Sequence, residues 1–266
     1  MSALLDHVQG GVQWIHDNSH PLTKDLWFMG SIWPVTITLV LYLSFVLKIG
    51  PELMKSRKPL NVDIYIKIYN IIQILFSLYL LREAFRLLWL RFDYRFFCVE
   101  MNKDPDVAKE QVFTVWLFLM SRLLDLLDTI FFVLRKKHNQ ITFLHVYHHA
   151  IVVSLAWFII NFYPGGQGAF FGTVNSFVHV IMYSYYLLTI INPEYKKAWW
   201  KKYLTILQLV QFVITGLHAL LSVMEPDCDF PKFMMYLGIS QDIFMFILFY
   251  DFYKKTYSTP KKNKQS

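Results

Sequence analysis

The sequence predicts an all-α integral membrane protein with seven transmembrane helices, and two observations lead there. Only 17% of the 266 residues are charged while 55% are hydrophobic, whereas a soluble domain carries roughly 25% charged residues. Four stretches, 27–47, 141–163, 169–191 and 203–224, contain no Lys, Arg, Asp or Glu. About 20 apolar residues cross a bilayer core, so each is long enough.

Three further spans carry charges. Residues 112–134 are interrupted by Arg122, Asp125 and Asp128, and residues 233–250 by Asp242. Residues 62–88 have a charge-free centre, 68–81, flanked by Lys67 and by Arg82, Glu83 and Arg86, which can snorkel or face protein. Residues 1–26 are polar and lack the apolar run of a signal peptide, so they are expected to form a lumenal arm with some amphipathic helix. The expected organisation is that arm, one membrane catalytic domain over 27–252, and a basic tail over 253–266.

Basic residues set the orientation. Segments 48–60, 135–140, 192–202 and 253–266 hold sixteen Lys and Arg, against six in 1–26, 91–110, 162–168 and 225–232. The positive-inside rule places the first group in the cytosol, with the N-terminus lumenal and the C-terminus cytosolic. The net charge of +7 is then a matter of topology and implies no nucleic acid. Lys262 and Lys264, fifth and third from the end, resemble a dilysine retrieval signal of the endoplasmic reticulum. Cys98 and Cys228 are the two cysteines. On this topology both lie in lumenal loops, where disulfides persist, so they are expected to be bonded.

Polar side chains inside a bilayer cost several kcal/mol, and each points to function. Here they cluster. His145, His148 and His149 (HVYHH) lie at i, i+3 and i+4 and share one helix face. Asn175 and His179 are one turn apart in the next span, followed by Tyr183. Arg122, Asp125, Asp128 and Thr129 sit in the third span, and Gln208 and Gln211 in the sixth. Thr129, Tyr183, Gln208 and Gln211 are expected to line the polar interior.

Three chemistries use such a cluster. Histidines at this spacing ligate metals, as in a membrane lipid oxygenase, although His138, the box, His179 and His218 fall short of several histidine boxes. Histidines and amides also bond across helices as polar glue, which is the role read for His218 and Asp242. Neutral imidazole is finally a competent nucleophile, and a second imidazole moves protons. No G-x-S-x-G is present and both cysteines face the lumen, so an acyl intermediate would fall to histidine. A lipid carrier or transporter is the competing class, since intramembrane polar groups also line substrate paths.

The segment SRLLDLLDTIFFVLRKKHNQITFLHVYHH (121–149) resembles the signature of the elongases of very-long-chain fatty acids. GPELM (50–54), NSFVHVIMYSYY (175–186) and TILQLVQ (205–211) are similar to three further motifs of that family, in order. The family usually reads Lys-x-x-Glu-x-x-Asp-Thr where this chain has Arg122, Asp125, Asp128 and Thr129. Charge type is kept; reach and geometry change. Gln140, five residues before the box, is similar to the branches acting on long-chain and polyunsaturated acyl groups.

The resemblance implies seven spans, six of them forming an inverted-repeat barrel around an acyl tunnel open to cytosolic CoA. It implies condensation of a long-chain acyl-CoA with malonyl-CoA, with His148 carrying the acyl group. His179, His149 and His145 would orient groups or move protons, Asn175 would hold an oxyanion, and Asp128 or Asp125 would fix an imidazole tautomer. Arg122, Arg135, Lys136, Lys137, Lys201 and Lys202 would meet the CoA phosphates. No metal or other cofactor is expected. Expected partners are membrane lipid and the reductases and dehydratase of the elongation cycle, and a homo-oligomer is compatible with this reading.

Overall fold

A computed structural model describes residues 2–90 and 95–258. The order is α1 (Ser2–Asn18), α2 (Trp33–Ser44), α3 (Gly50–Met54), α4 (Asp63–Ala84), α5 (Pro105–Leu134), α6 (Phe143–Phe162), α7 (Gly168–Ile191), α8 (Lys201–Met224) and α9 (Lys232–Tyr253). There is no strand among the described residues. Among the described residues, six segments are long and apolar enough to cross a membrane: Trp33–Met54, Asp63–Leu88, Phe143–Phe162, Gly168–Ile191, Lys201–Met224 and Lys232–Tyr257. The 30-residue α5 has the length, at 1.5 Å per residue, but carries Arg122, Asp125 and Asp128 along it. Arg122 and Asp125 are buried inside the protein.

The boundaries follow local chemistry. Helix α5 opens at Asp104, whose side chain accepts from the backbone N–H groups of Asp106 (2.9 Å) and Val107 (3.4 Å), with Pro105 in the first turn. In α6, Thr142 caps the N–H of His145 at 3.3 Å, fixing where the histidine box begins. The first span starts later than expected, at Trp33 rather than 27. Residues 27–32 form turns because their backbone groups are taken elsewhere. Asn161 Oδ1 accepts from Gly30 N (3.0 Å), while Trp116 and Trp157 donate to the carbonyls of Trp27 and Phe28.

The segment 48–60, expected outside the bilayer, instead continues the helix as far as Met54. Pro51 has no N–H to give to the turn before it, and the chain passes through a π turn, Phe45–Ile49, into α3. Gly50 makes this possible: a Cβ there would meet Val133 Cγ1 at 2.7 Å and Phe45 O at 2.8 Å. At the other end of the chain, α9 runs on through a π turn to Ser258, so the tail read from 253 begins as helix. Lys262 and Lys264 lie outside the described residues.

Helix contacts run in a closed circuit. Consecutive helices α4, α5 and α6 pack in order, as do α7, α8 and α9, and α4 meets α7 while α6 meets α9. Helices α2 and α3 pack outside this circuit, on α6 and α5. There they bury Val46 with Leu119, Val133 and Val153 in an apolar core. At one end of the bundle, Leu60 N bonds Leu134 O, and Lys136 Nζ donates to the carbonyls of Lys55 and Arg57. We call this the basic end. At the other end, Cys98 and Cys228 form a disulfide, with 5.5 Å between Cα atoms.

Candidate active site

The circuit encloses a cavity of about 220 Å³, lined mostly by apolar side chains from α4 to α9. Polar side chains line it too, Glu83, Gln111, Ser176, Gln241 and Asp242 among them. His148 of α6 and Asn175 of α7 both reach it, as does Gln211 of α8. At the disulfide end the cavity stops against Gly165, Gly166 and His218. His218 is stacked on Phe170 with centroids 3.8 Å apart. Its Nε2 is 2.8 Å from Phe96 O, and Gln167 Nε2 is 3.1 Å from its Nδ1. The carbonyl fixes Nε2 as the donor, leaving Nδ1 as acceptor. Gln167 also accepts from Val99 N at 2.9 Å, joining this plug to the disulfide loop.

The histidine box holds its shape through α5 and α2. His145 Nε2 lies 2.9 Å from Thr129 Oγ1, which lies 2.8 Å from Tyr42 OH. The rings of His145 and His149 are 4.3 Å apart and those of His148 and His149 5.4 Å. His148 is the member of the three that faces the cavity; its ring also meets Phe249 at 6.1 Å.

Behind this face, α5 and α7 share a buried polar cluster. Arg122 donates through Nη1 to Asn175 Oδ1 at 3.1 Å, and the same nitrogen is 2.7 Å from both ring nitrogens of His179. It pairs with Asp125 at 2.9 Å, while Nε and Nη2 donate to Ser121 Oγ. The guanidinium also lies 4.9 Å above the Phe118 ring. Tyr183, one turn beyond His179, places its hydroxyl 2.7 Å from Asp125 Oδ1 and 3.0 Å from Asp128 Oδ2. Since Arg122 can only donate, it holds Asn175 by the carbonyl oxygen and leaves the amide Nδ2 unengaged by this contact.

Of the residues singled out in the sequence, His145, His148 and His149, Asn175, His179, Tyr183, Arg122, Asp125, Asp128 and Thr129 therefore meet in one region. His148 and His179 are close enough to interact electrostatically. Arg122 sits in the interior, fully engaged by protein, and not with the basic residues grouped with it for CoA. Arg135 pairs with Asp63 at 3.4 Å and Lys202 lies over the Tyr203 ring at 5.2 Å. Neither these nor Lys136, Lys137 and Lys201 line the cavity. Gln208 donates to Met182 Sδ and stays off the cavity wall. Among the described residues, no group of three or more His, Cys, Asp or Glu is arranged to hold a metal.

The structure adds residues that sequence reasoning passed over. Gln73 of α4 donates to Asp125, and Tyr69 OH lies 3.0 Å from Tyr183 OH. Tyr69, Gln73 and Ser77, four residues apart on α4, form a polar stripe that is buried. That periodicity was the available signal. Tyr42 lay hidden in a span with no other polar feature of note.

Residues 27–265 match the ELO: GNS1/SUR4 family. The chain belongs to this family. Among ELO relatives, it is 43% identical to very long chain fatty acid elongase 4 of Mus musculus over 238 residues, covering 89% of this chain and 75% of the mouse protein. It is 41% identical to very long chain fatty acid elongase 7 of Rattus norvegicus, over 92% of this chain and 88% of the rat protein. A very long chain fatty acid elongase of Aedes aegypti is 37% identical over 99% of this chain and 74% of its own length. The ELO match spans every helix from α2 to α9, so the cavity and polar cluster both lie inside it.

Proposed function

We propose that this multi-pass membrane protein is the condensing enzyme of fatty-acid elongation, a very-long-chain 3-oxoacyl-CoA synthase. It is a fatty-acid elongation enzyme by family. The observation that carries the mechanism is that His148 alone of the histidine box lines the mostly apolar cavity, which Asn175 also lines.

His148 attacks the carbonyl carbon of an acyl-CoA thioester; the C–S bond breaks and CoA leaves as the thiol, giving an acyl-imidazole. The acyl chain occupies the cavity. Malonyl-CoA then enters and loses carbon dioxide, and the electron pair of the broken bond forms an enolate. That carbon attacks the acyl carbon, the bond to His148 breaks, and a 3-oxoacyl-CoA two carbons longer departs. Asn175 Nδ2, aimed by Arg122, stabilises the oxyanion of each addition. His149 and His179 orient groups and move protons. Asp125 and Asp128 fix the arrangement through Arg122 and Tyr183. No metal or redox cofactor is required by these steps.

In this reading α5 is a seventh span, and α4–α6 and α7–α9 are inverted three-helix units of a barrel. The contact circuit supports this. The basic end is cytosolic, in the endoplasmic reticulum, where Arg135, Lys136, Lys137, Lys201 and Lys202 meet the CoA phosphates; the N-terminus and disulfide are lumenal. The product passes to the reductases and dehydratase of the cycle.

Purified protein given acyl-CoA and labelled malonyl-CoA is expected to release labelled carbon dioxide. Mass spectrometry is expected to find an acyl adduct on His148, absent in His148→Ala. Full turnover by that variant would remove His148 as nucleophile.

A further inference from the structure

Asp242 is not explained by the chemistry above. It sits on α9 in the wall of the cavity, opposite Gly216 and Thr215 of α8. A carboxyl group in an apolar cavity needs a partner, because leaving it unpaired costs several kcal/mol. Among the described residues no lysine, arginine or histidine forms an ion pair with it, and the Thr215 hydroxyl hydrogen-bonds it across α8 and α9. The Thr215 hydroxyl also donates to Gln211 O at 2.9 Å, and one proton cannot serve both acceptors. Gln211, 4% exposed and also on the cavity wall, has a side-chain oxygen with no hydrogen-bond partner. Asp242 and Gln211 are thus acceptors short of donors on the cavity wall.

Their depth is informative. The Phe249 ring meets both His148 (6.1 Å) and Phe212 (5.2 Å), which marks the level of the nucleophile. Asp242 lies seven residues, about 10 Å of helix, toward the disulfide end of α9. Thr215 lies three residues past Phe212 in the same direction along α8. Asp242 and Thr215 therefore flank the acyl chain beyond its reacting end and short of the His218 plug, whereas Gln211, one residue before Phe212, lies at the level of the nucleophile.

We propose that Asp242 and Thr215 form a subsite for a hydroxyl group carried partway along the acyl chain, so that hydroxylated long-chain acyl-CoA is a substrate class of this enzyme. A hydroxyl carries one proton and supplies it to the Asp242 carboxyl; a methylene has none to give. This rests on the elongase reading of the same cavity.

The test uses purified full-length protein, labelled malonyl-CoA, and acyl-CoAs of one length, either unsubstituted or with a hydroxyl moved along the chain. Carbon dioxide release from the unsubstituted chain checks the elongase reading separately; its absence with every donor would sink that reading and this one together. The wild type is expected to favour one hydroxyl position over its neighbours by about tenfold in kcat/KM, the discrimination of one good hydrogen bond. Asp242→Leu is expected to abolish that preference, and Asp242→Asn to keep most of it. A flat or uniformly unfavourable response to the hydroxyl, with the unsubstituted chain turned over, would mean that the patch holds water only and would overturn the proposal. So would a preference that survives in Asp242→Leu.

Discussion

Arg122 and Asp125, three residues apart on α5, form an ion pair of 2.9 Å with both side chains almost wholly buried. The pair is embedded on all sides: Gln73 and Tyr183 reach the carboxylate, and Asn175, Ser121 and His179 reach the guanidinium. Removing one partner strands the other charge away from water. Arg122→Ala is expected to lower stability by roughly 3–5 kcal/mol, read as a fall in the unfolding midpoint in detergent, and to abolish carbon dioxide release. Arg122→Lys keeps the charge but cannot reach Asn175, Ser121 and Asp125 together, since an ammonium lacks the planar fork. It is expected to fold and to lose most activity.

Asn175 is held by its carbonyl oxygen, which leaves the amide donors for substrate. Asn175→Asp preserves the shape and the acceptor toward Arg122 but removes both donors. Its expected signature is a fall in kcat of about 10²–10³-fold with the protein still folded, measured by carbon dioxide release alongside thermal unfolding. A variant retaining full kcat would show that the oxyanion is held elsewhere.

Much of this site was legible in the sequence because its two main stripes are helical repeats on single elements. The i, i+3, i+4 spacing of His145, His148 and His149, and the i, i+4 spacing of Asn175 and His179, specify faces whatever the tertiary packing. Periodicity cannot say which histidine of the box meets the cavity; that depends on how α6 is rotated by the bond between His145 and Thr129, which Tyr42 holds in turn. Nor does spacing reveal Arg122 as interior, since a cation in a span reads equally as a phosphate contact. The charges flanking α4 do not reveal Tyr69 and Gln73; only the polar stripe between those charges does. The first span begins six residues later than apolar composition predicts, because composition does not register that Asn161, Trp116 and Trp157 bond the backbone of residues 27–30.

Gly50 occupies the closest approach of the first span to α5. Gly50→Ala puts a methyl 2.7 Å from Val133 Cγ1 and 2.8 Å from Phe45 O, and the latter is backbone that cannot swing away. Overpacking of this kind costs about 1–3 kcal/mol. The variant is expected to unfold at lower temperature, and Val133→Ala in the same chain is expected to restore part of the loss by vacating the space Cγ1 occupies. A double variant no more stable than Gly50→Ala would place the strain at Phe45 O instead.

Cys98 and Cys228, 130 residues apart in sequence, tie the loop before α5 to the loop before α9, against the plug that ends the cavity. Gly166 shows how tightly that plug is built: its φ is +60°, and a Cβ would meet Val99 O at 2.7 Å, one residue from Cys98. Cutting the disulfide frees Val99, whose N–H is bonded to Gln167, and through Gln167 it loosens His218. Cys98→Ser is expected to lower stability by about 2–5 kcal/mol. It is also expected to relax the far end of the cavity, so that acyl-CoA donors longer than those the wild type accepts begin to be elongated. Carbon dioxide release across a ladder of chain lengths, in wild type and variant, reads this directly. A variant that is destabilised but stops at the same chain length as wild type would confine the disulfide to stability and leave the His218–Phe170 stack as the stop.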